Sequence, residues 1–251
     1  MNFRRIEEAY CTTFPVREIK IGGWILRTSN SEVRRENSLQ VYDAGNVDLE
    51  SQVDECEKLF DELGKPAVFR LFSPVDSIML ISILQRRGYF LPDSSHVMAT
   101  DLRKVAPNLK PSQEAVRFRL NSLKEWVGAY CLISGKTEEQ GAKMQNGLKP
   151  AECSSCYGTV YLQDVPFSIG MTATSNELVG IFNVCTSFKH RGAGHASFLL
   201  RSLLAKCKSE GASEAYLQVS QDNFAALKLY RNSGFEAAYD YSYWIKRGFL
   251  F

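Results

Sequence analysis

Apolar positions recur along this chain in two spacings, one typical of strands and the other typical of helices. Residues 178–186 read LVGIFNVCT, which is apolar on both faces and predicts a central strand covered on each side. Residues 195–208 place apolar side chains three and four positions apart and predict an amphipathic helix. Between them lies KHRGAG, a basic segment with two glycines. This order predicts an anion site, because glycines let consecutive amides converge at the start of the helix.

The same spacings divide the chain into two αβ halves. The first half is predicted to contain helix 3–12, two strands within 21–43, helix 49–63, strand 67–72, a helix ending at Arg87, and strand 96–102. The second is predicted to contain strand 115–120, two helical stretches within 122–149, a hairpin at 157–174, the strand and helix above, strand 215–219, helix 223–233 and strand 235–245. Pro107 and Pro111 mark a linker. We therefore expect domains at 1–106 and 112–251, joined by residues 107–111.

Two segments, one from each half, share the same order of elements. FRLFSPVDSIMLISILQRRGYF and YLQVSQDNFAALKLYRNSGFEA both read as strand, serine, polar helix start, apolar helix, and glycine followed by an aromatic residue. This similarity predicts that the chain contains two copies of one αβ fold. Only the second copy has the glycine turn, so we expect one phosphate-bearing ligand per chain.

Composition and charge exclude several classes of protein. Apolar residues make up 45% of the chain and charged residues 23%, as in ordinary globular proteins. The net charge of +2 gives no reason to expect a nucleic-acid partner. The first residues, MNFRRIEEAYCTTF, are too charged for a signal peptide, and no segment approaches the ~18 apolar residues of a membrane span. We expect a cytoplasmic protein with no membrane partner.

The seven cysteines are scattered and odd in number, which is typical of free thiols in a reducing compartment. Cys153 and Cys156 form a single CxxC. A zinc site needs more Cys or His ligands than this pair offers. We interpret the two as free thiols in or beside a strand, and we expect no metal.

The glycine turn and a later helix together resemble the acyl-CoA signature of the GNAT superfamily of N-acetyltransferases. The family pattern is Gln or Arg, two residues, Gly, one residue, and Gly or Ala. Here Lys189 takes the first position, while Gly192 and Gly194 match. A second family motif is met by Asn223, Ala226, Leu229, Tyr230, Gly234 and Phe235. The first half more loosely resembles the extra N-terminal GNAT-like domain that some members carry.

The resemblance implies an α/β fold with two GNAT-like domains, each a mixed, mostly antiparallel central sheet flanked by helices. It also implies acetyl-CoA as the acyl donor. Backbone groups of Val184, Cys185 and Thr186 would hold the pantetheine arm. Amides of the turn would hold the pyrophosphate, namely those of His190, Arg191, Gly192, Ala193, Gly194 and His195. Lys189 and Arg191, with Arg231 as a further candidate, would screen the phosphate charge; the alternative for all three is a solvated basic surface.

The resemblance assigns the chemical step to Tyr230, which would protonate the departing CoA thiolate. A phenol with a pKa near 10 suits this role. The alternative is a core tyrosine packed beside Leu227 and Leu229. Asn223 would contact the cofactor or, alternatively, cap its helix, a role for which Asn is favoured.

Two further polar residues belong to the central strand region, one just before the strand and one within it. Glu177 stands just before it and is the nearest candidate for the general base that deprotonates the amine, although turn residues are commonly solvated. Asn183 interrupts the apolar run, and we interpret it as a buried amide that satisfies a bulge or a neighbouring strand end.

We therefore expect an N-acetyltransferase that moves an acetyl group directly from acetyl-CoA to a primary amine in a ternary complex. The alternative is a non-catalytic acyl-CoA-binding module of the same fold. A small-molecule amine would need a closed pocket and a peptide amine an open groove, and the residues fit either. Trp24, Arg34 and Arg35 are expected to line the substrate's entry.

Overall fold

The computed structural model describes residues 2–31, 33–45, 48–75, 77–105, 115–148 and 153–246. Seven helices lie in these ranges: α1 Phe3–Thr13, α2 Leu49–Glu62, α3 Ile78–Arg86, α4 Leu123–Ser134, α5 Glu138–Gly147, α6 His195–Ser209 and α7 Phe224–Asn232. Twelve strands accompany them: β1 Arg17–Ile21, β2 Trp24–Thr28, β3 Ser38–Val41, β4 Val68–Phe72, β5 Tyr89–Phe90, β6 Ser94–Asp101, β7 Val116–Leu120, β8 Ser154–Leu162, β9 Val165–Ser175, β10 Leu178–Thr186, β11 Glu214–Ser220 and β12 Glu236–Lys246. None of these helices is long and apolar enough to cross a membrane.

The chain forms two compact units drawn from separate stretches of sequence. Unit 1 comprises residues 1–15, 98–218 and 223–236, and unit 2 comprises residues 16–97, 219–222 and 237–251. The N-terminal helix α1 thus belongs to unit 1, and most of the last strand, β12, belongs to unit 2. The predicted linker at 107–111 lies outside the described residues, so the two-domain boundary stays a prediction.

Unit 1 is built on a mixed sheet. Strands β7, β8, β9 and β10 pair antiparallel in that order, and β10 pairs with β11 in parallel. The β8–β9 hairpin turns at Gln163 and Asp164, which have φ of 50° and 65°. Two buried clusters cover the sheet, one around Phe167, Leu199 and Leu203 and the other around Trp126 and Met171. The parallel pair is joined through α6, as parallel strands require a crossover.

Unit 2 repeats this plan. Strands β1, β2 and β3 pair antiparallel, β3 pairs with β4 in parallel through the crossover helix α2, and β4 pairs antiparallel with β12. Its core packs around Trp24, Phe60 and Phe69. Two units, each with a mostly antiparallel sheet and one parallel pair, confirm the predicted fold class and explain the internal sequence similarity.

Most predicted elements are confirmed. The two strands predicted within 21–43 are β2 and β3, and the sequence pattern missed a third strand, β1, which precedes them and turns into β2 at Gly22, whose φ is +56°. Trp24, expected at a substrate entry, is instead fully buried in the core, and its indole N–H donates to the Asp43 carbonyl. Arg34 pairs with Asp93.

Candidate functional site

The central strand β10 is paired along only part of one edge. Its parallel ladder with β11 runs from Leu178 opposite Glu214 to Ile181 opposite Leu217, whereas β10 itself continues to Thr186. Within the described part of unit 1, the backbone N–H and C=O groups of residues 182–186 on that edge lie outside the ladder. Backbone groups of this kind need partners, and they can hydrogen-bond an extended ligand laid along the edge.

A β-bulge at Asn183 lies just beyond the point where the parallel ladder between β10 and β11 ends. The antiparallel register between β10 and β9 shifts between Phe182 and Cys185, and Asn183 has a φ of 53°. Its side chain is exposed, and the amide nitrogen lies 3.5 Å from the Met171 sulfur. The predicted bulge is confirmed, whereas the predicted burial of the amide is wrong. Asn suits the position because its short polar side chain tolerates left-handed backbone better than most residues do.

Substitution of Asn183 tests whether the bulge depends on this tolerance. We expect Asn183→Val to lower the free energy of unfolding by about 1–2 kcal/mol, because a β-branched residue resists positive φ. Asn183→Gly should stay close to the parent protein, since glycine adopts positive φ without a steric penalty. Urea unfolding of the three proteins measures the difference. Equal loss in both variants would mean that the amide side chain, rather than the backbone, stabilises the bulge.

The turn after β10 has the backbone of an anion cradle. A 3₁₀ turn at Phe188–His190 leads into Gly192 and Gly194, whose φ values are +78° and +80°. A Cβ placed on either glycine would meet no atom within 4 Å, so the need for glycine comes from the backbone and not from crowding. Residues 191–194 are exposed. The turn therefore opens its backbone amides to solvent at the start of α6.

The N-terminus of α6 has no side chain of its own to satisfy its amides. Gly194 is the N-cap residue, no side chain makes a capping hydrogen bond there, and the first turn holds no acidic residue. The free amides and the helix dipole together favour an anion at this position.

Positive side chains flank the cradle. Lys189 and Arg191 are both exposed, and Arg191 donates from Nε to the Thr186 carbonyl at 3.1 Å. The Arg191 guanidinium also lies 5.6 Å from the ring centre of Phe188. These contacts tie one cation to the end of β10 while leaving its remaining donors to solvent.

Two histidines of the turn pack on one aromatic ring. The His190 ring stacks on Phe167 at 4.6 Å, and the His195 ring meets the same side chain edge-on at 4.7 Å. Nδ1 of His190 lies 2.8 Å from the Ser187 hydroxyl. Burial, with a smaller contribution from His190, lowers the pKa of His195, which favours its neutral form. Their side chains therefore hold the turn in place, and the charge comes from Lys189 and Arg191.

The last residues of β10 anchor the strand end. Val184 packs against the cluster around Phe167, and Cys185 against the cluster around Trp126. The Thr186 hydroxyl lies 2.7 Å from that of Ser168 on β9. These side chains hold positions 184–186 toward the sheet's two faces. The Thr186 carbonyl accepts from Arg191, so the backbone groups of Val184 and Cys185 are the ones on the β11 edge that remain for a ligand.

Helix α7 carries the two candidates from the second motif. Asn223 is its N-cap residue and accepts a hydrogen bond from the Ala226 N–H at 3.1 Å, so the capping role is confirmed. Tyr230 is 8% exposed and packs edge-on against Phe235 at 6.1 Å. Burial raises the pKa of Tyr230 to about 12. Among the described residues, no hydrogen bond or ring contact joins Tyr230 to the cradle.

The structure does not bring Glu177 to the cradle. Glu177 precedes the first residue of β10, is exposed, and accepts a hydrogen bond from the Ser213 hydroxyl at 2.9 Å. The part of β10 that is not paired with β11 begins five residues further on, which is about 17 Å along an extended strand. A carboxylate at that distance does not reach the proton of an amine bound beside residues 182–186.

Aromatic side chains surround Phe182, the first residue beyond the parallel ladder. Phe14 meets it edge-on at 5.0 Å, Tyr10 at 6.2 Å and Tyr216 at 6.0 Å. The first two come from α1 and the residue after it, at the other end of the sequence. Sequence reasoning missed this cluster, and also Phe167 beneath the histidines, because no local motif marks either.

The cradle fits a phosphate-bearing ligand, and the matching helix of unit 2 does not. Helix α2 also follows a strand of a parallel pair, but Asp48 caps it by accepting from the Ser51 N–H, and Glu50 lies in its first turn. Carboxylates already occupy the favourable end of that dipole and would repel a phosphate. This contrast supports the expectation of one such ligand per chain.

Metal ligands do not converge anywhere in the part of the chain that the structure describes. No group of three or more His, Cys, Asp and Glu side chains lies close enough together to hold an ion there.

Comparison with known proteins gives one family and one curated relative. A family model described as "Probable histone acetyltransferase Rv0428c C-terminal" matches residues 1–244. The uncharacterized N-acetyltransferase YobR of Bacillus subtilis is 23% identical over 248 residues, covering 98% of this chain and 99% of the relative.

Several solved structures have a similar fold. A GCN5-related N-acetyltransferase from Kribbella flavida superimposes with a TM-score of 0.76 at 16% identity, covering 97% of this chain and 95% of that one. One from Sphaerobacter thermophilus has a TM-score of 0.64 at 18% identity, with 78% and 66% covered. A tandem GNAT protein from the clavulanic acid biosynthesis pathway has a TM-score of 0.62 at 9% identity, with 77% and 68% covered.

Proposed function

Because the chain belongs to the Rv0428c C-terminal family of probable histone acetyltransferases and is a GNAT-type acyltransferase, we propose that it acetylates a primary amine directly from acetyl-CoA. One observation carries this proposal: within unit 1, the end of β10 that is not paired with β11 is followed by the start of α6, which no side chain caps. The first suits an extended amide-containing arm and the second suits a pyrophosphate.

The proposed binding mode assigns one part of acetyl-CoA to each feature. Backbone groups of Val184, Cys185 and Thr186 would hold the pantetheine arm. The amides from His190 to His195, including that of Ala193, would hold the pyrophosphate, with Lys189 and Arg191 balancing its charge. Phe188, which is 83% exposed beside Arg191, offers a ring face to the adenine. Asn223 keeps its side-chain oxygen on the α7 amides, so any cofactor contact would come from its NH₂ group.

Acetyl-CoA supplies an acetyl group on a thioester, from which the thiolate leaves when an amine attacks. In the proposed mechanism Tyr230 donates its phenolic proton to the departing sulfur. The raised pKa keeps the phenol protonated at neutral pH, where it can donate a proton but not accept one, and it also makes the phenol a weaker acid than a tyrosine with a pKa near 10. Buried surroundings also strengthen its electrostatic interaction with a developing thiolate.

The strand end contributes to the proposed reaction through its backbone. Amides at the bulge beside Asn183 would donate to the thioester carbonyl oxygen as negative charge develops there. The attacking amine must be neutral. Because Glu177 lies too far away to remove a proton from it, the amine would lose its proton to solvent before it attacks. We therefore expect the rate to rise with pH until the acceptor amine is deprotonated.

An acceptor screen tests the proposed function. Purified protein is incubated with acetyl-CoA and three kinds of acceptor: small-molecule amines, a peptide with a free N-terminus and no lysine, and an N-acetylated peptide with one lysine. Free CoA thiol is measured against an enzyme-only blank, since the protein contributes seven cysteines of its own. We expect thiol release above the acceptor-free rate with one class, and a matching acetylated product by mass spectrometry.

The alternative, an acyl-CoA-binding module without catalysis, gives a different result in the same experiment. It predicts acetyl-CoA binding by calorimetry together with no acetylated product in any arm. Absence of both binding and transfer would overturn the cradle assignment as well.

A further inference from the structure

Two cysteines from separate elements lie on the α6 face of the unit 1 sheet. Cys156 lies on β8 directly opposite Thr172 of β9 in the antiparallel register. The hydroxyl of Thr172 lies 3.3 Å from the sulfur of Cys207, which comes from the last turns of α6. Cys156 packs against the cluster that contains Leu203 of α6, and its thiol lies 3.9 Å from a carboxylate oxygen of Glu210 at the end of that helix. Thr172 therefore lies beside both sulfurs.

The two cysteines differ in exposure. Cys156 is half-buried, whereas Cys207 is 1% exposed. The neighbouring Cys207 lowers the pKa of Cys156, against the opposing effects of burial and of the Glu210 carboxylate, to which the Cys156 thiol donates. The neighbouring Cys156, together with burial, raises the pKa of Cys207. One thiol is thus accessible with enhanced thiolate character, and the other is a buried, protonated neighbour.

We propose that Cys156 and Cys207 are a peroxide-reactive pair that closes to an intramolecular disulfide between β8 and α6. The proposal is independent of the acetyl-transfer function, because neither residue belongs to the cradle or to α7. Its basis is the placement of both cysteines beside Thr172, since Cys156 is its partner in the β8–β9 register and the Cys207 sulfur lies 3.3 Å from its hydroxyl.

The oxidation proceeds in two balanced steps. The Cys156 thiolate attacks one oxygen of hydrogen peroxide, the O–O bond breaks, and a sulfenic acid and hydroxide form. The Cys207 sulfur then attacks the sulfenic sulfur, the S–O bond breaks, and the proton of Cys207 leaves with the departing oxygen as water. The two thiols lose two electrons in total, and one peroxide becomes two waters. A thiol reductant reverses the result.

Neighbouring cysteines compete poorly for this role. Cys153 precedes Cys156 by three residues, and along an extended strand this separates their Cα atoms by about 10 Å, beyond the span that a disulfide bridges. Cys131 of α4 donates to the Thr137 carbonyl at 3.6 Å and serves as a half-buried comparison thiol.

Peroxide titration of the full-length reduced protein tests the pair. Remaining thiols are blocked with an alkylating agent, and peptides are mapped by mass spectrometry without reduction. We expect a linked Cys156–Cys207 peptide, two fewer alkylated thiols per chain, and recovery of both after reduction. Cys156 should react at least about tenfold faster than Cys131.

Three variants make the test specific. In Cys207→Ser, whose hydroxyl keeps a partner at Thr172, we expect dimedone to trap a sulfenic acid at Cys156. In Cys156→Ser the linked peptide and the fast-reacting thiol both disappear. Cys131→Ser is the matched control and should oxidise like the parent. A linkage between Cys153 and Cys156, or equal peroxide reactivity of Cys156 and Cys131, would overturn the proposal.

Discussion

Tyr230→Phe is expected to lower kcat by about a hundred- to ten-thousand-fold, the range in which a positioned general acid contributes. The substitution keeps the ring, so its packing on Phe235 and the fold of α7 should survive. The Kd for acetyl-CoA should remain within about twofold of the parent value, because the proposed cofactor contacts come from β10 and the cradle. Steady-state kinetics and calorimetry measure the two quantities separately.

A second tyrosine offers the matched control. Tyr89 in unit 2 is 3% exposed, and its hydroxyl donates to Glu57 at 2.8 Å. Tyr89→Phe also removes a phenol hydroxyl from a buried side chain, and we expect kcat to stay near the parent value. If Tyr230→Phe retained full activity, the acid role would be lost and the core-tyrosine interpretation would stand.

The pKa of Tyr230 also sets the shape of the pH profile. The acid form exists below the pKa and is lost as pH rises through it, which for a value of about 12 lies above the working range. We therefore expect a profile that rises with deprotonation of the acceptor amine and reaches a plateau. A fall in kcat near neutral pH would point to a different proton donor.

Gly192→Val is expected to weaken acetyl-CoA binding by at least about tenfold, equivalent to 1.4 kcal/mol. The residue has a φ of +78°, and a β-branched side chain disfavours that conformation by about 1–2 kcal/mol or more. No neighbouring atom lies within 4 Å of the added Cβ, so the loss would come from a rearranged turn and not from a collision with the protein. Calorimetric titration with acetyl-CoA measures it.

Gly135 offers a matched control for Gly192 outside the cradle. It ends α4 with a φ of +72°, and its added Cβ would also meet nothing within 4 Å. Gly135→Val should therefore cost similar stability in urea unfolding while keeping the affinity for acetyl-CoA. Comparable affinities in the two variants would show that the cradle does not hold the pyrophosphate.

Local patterns were sufficient wherever the physics is local. The bounds predicted for β10 coincide with those observed, and the helix predicted after the turn begins where Gly194 caps it. A run that is apolar on both faces requires cover on both sides, and glycines at positive φ are required by the turn itself. The capping role of Asn223 follows from the same kind of short-range hydrogen bond.

Other features depend on which distant segments meet. Nothing near Phe167 predicts that two histidines more than twenty residues later pack on its ring, and nothing near Phe14 predicts its contact with Phe182. Glu177 is adjacent to the central strand in sequence yet lies at the wrong end of it, because extended backbone separates residues quickly.

By itself, then, the sequence determined the elements, the glycine cradle and the family resemblance, all of which arise from spacing and backbone preference over a few residues. The tertiary structure alone decided that α1 belongs with the second half of the chain and β12 with the first, and that the parallel ladder of β10 stops at Ile181. It also decided that Cys156 and Cys207 both lie beside Thr172. These outcomes follow from burial of apolar surface between segments remote in sequence, which is not encoded in any one segment's pattern.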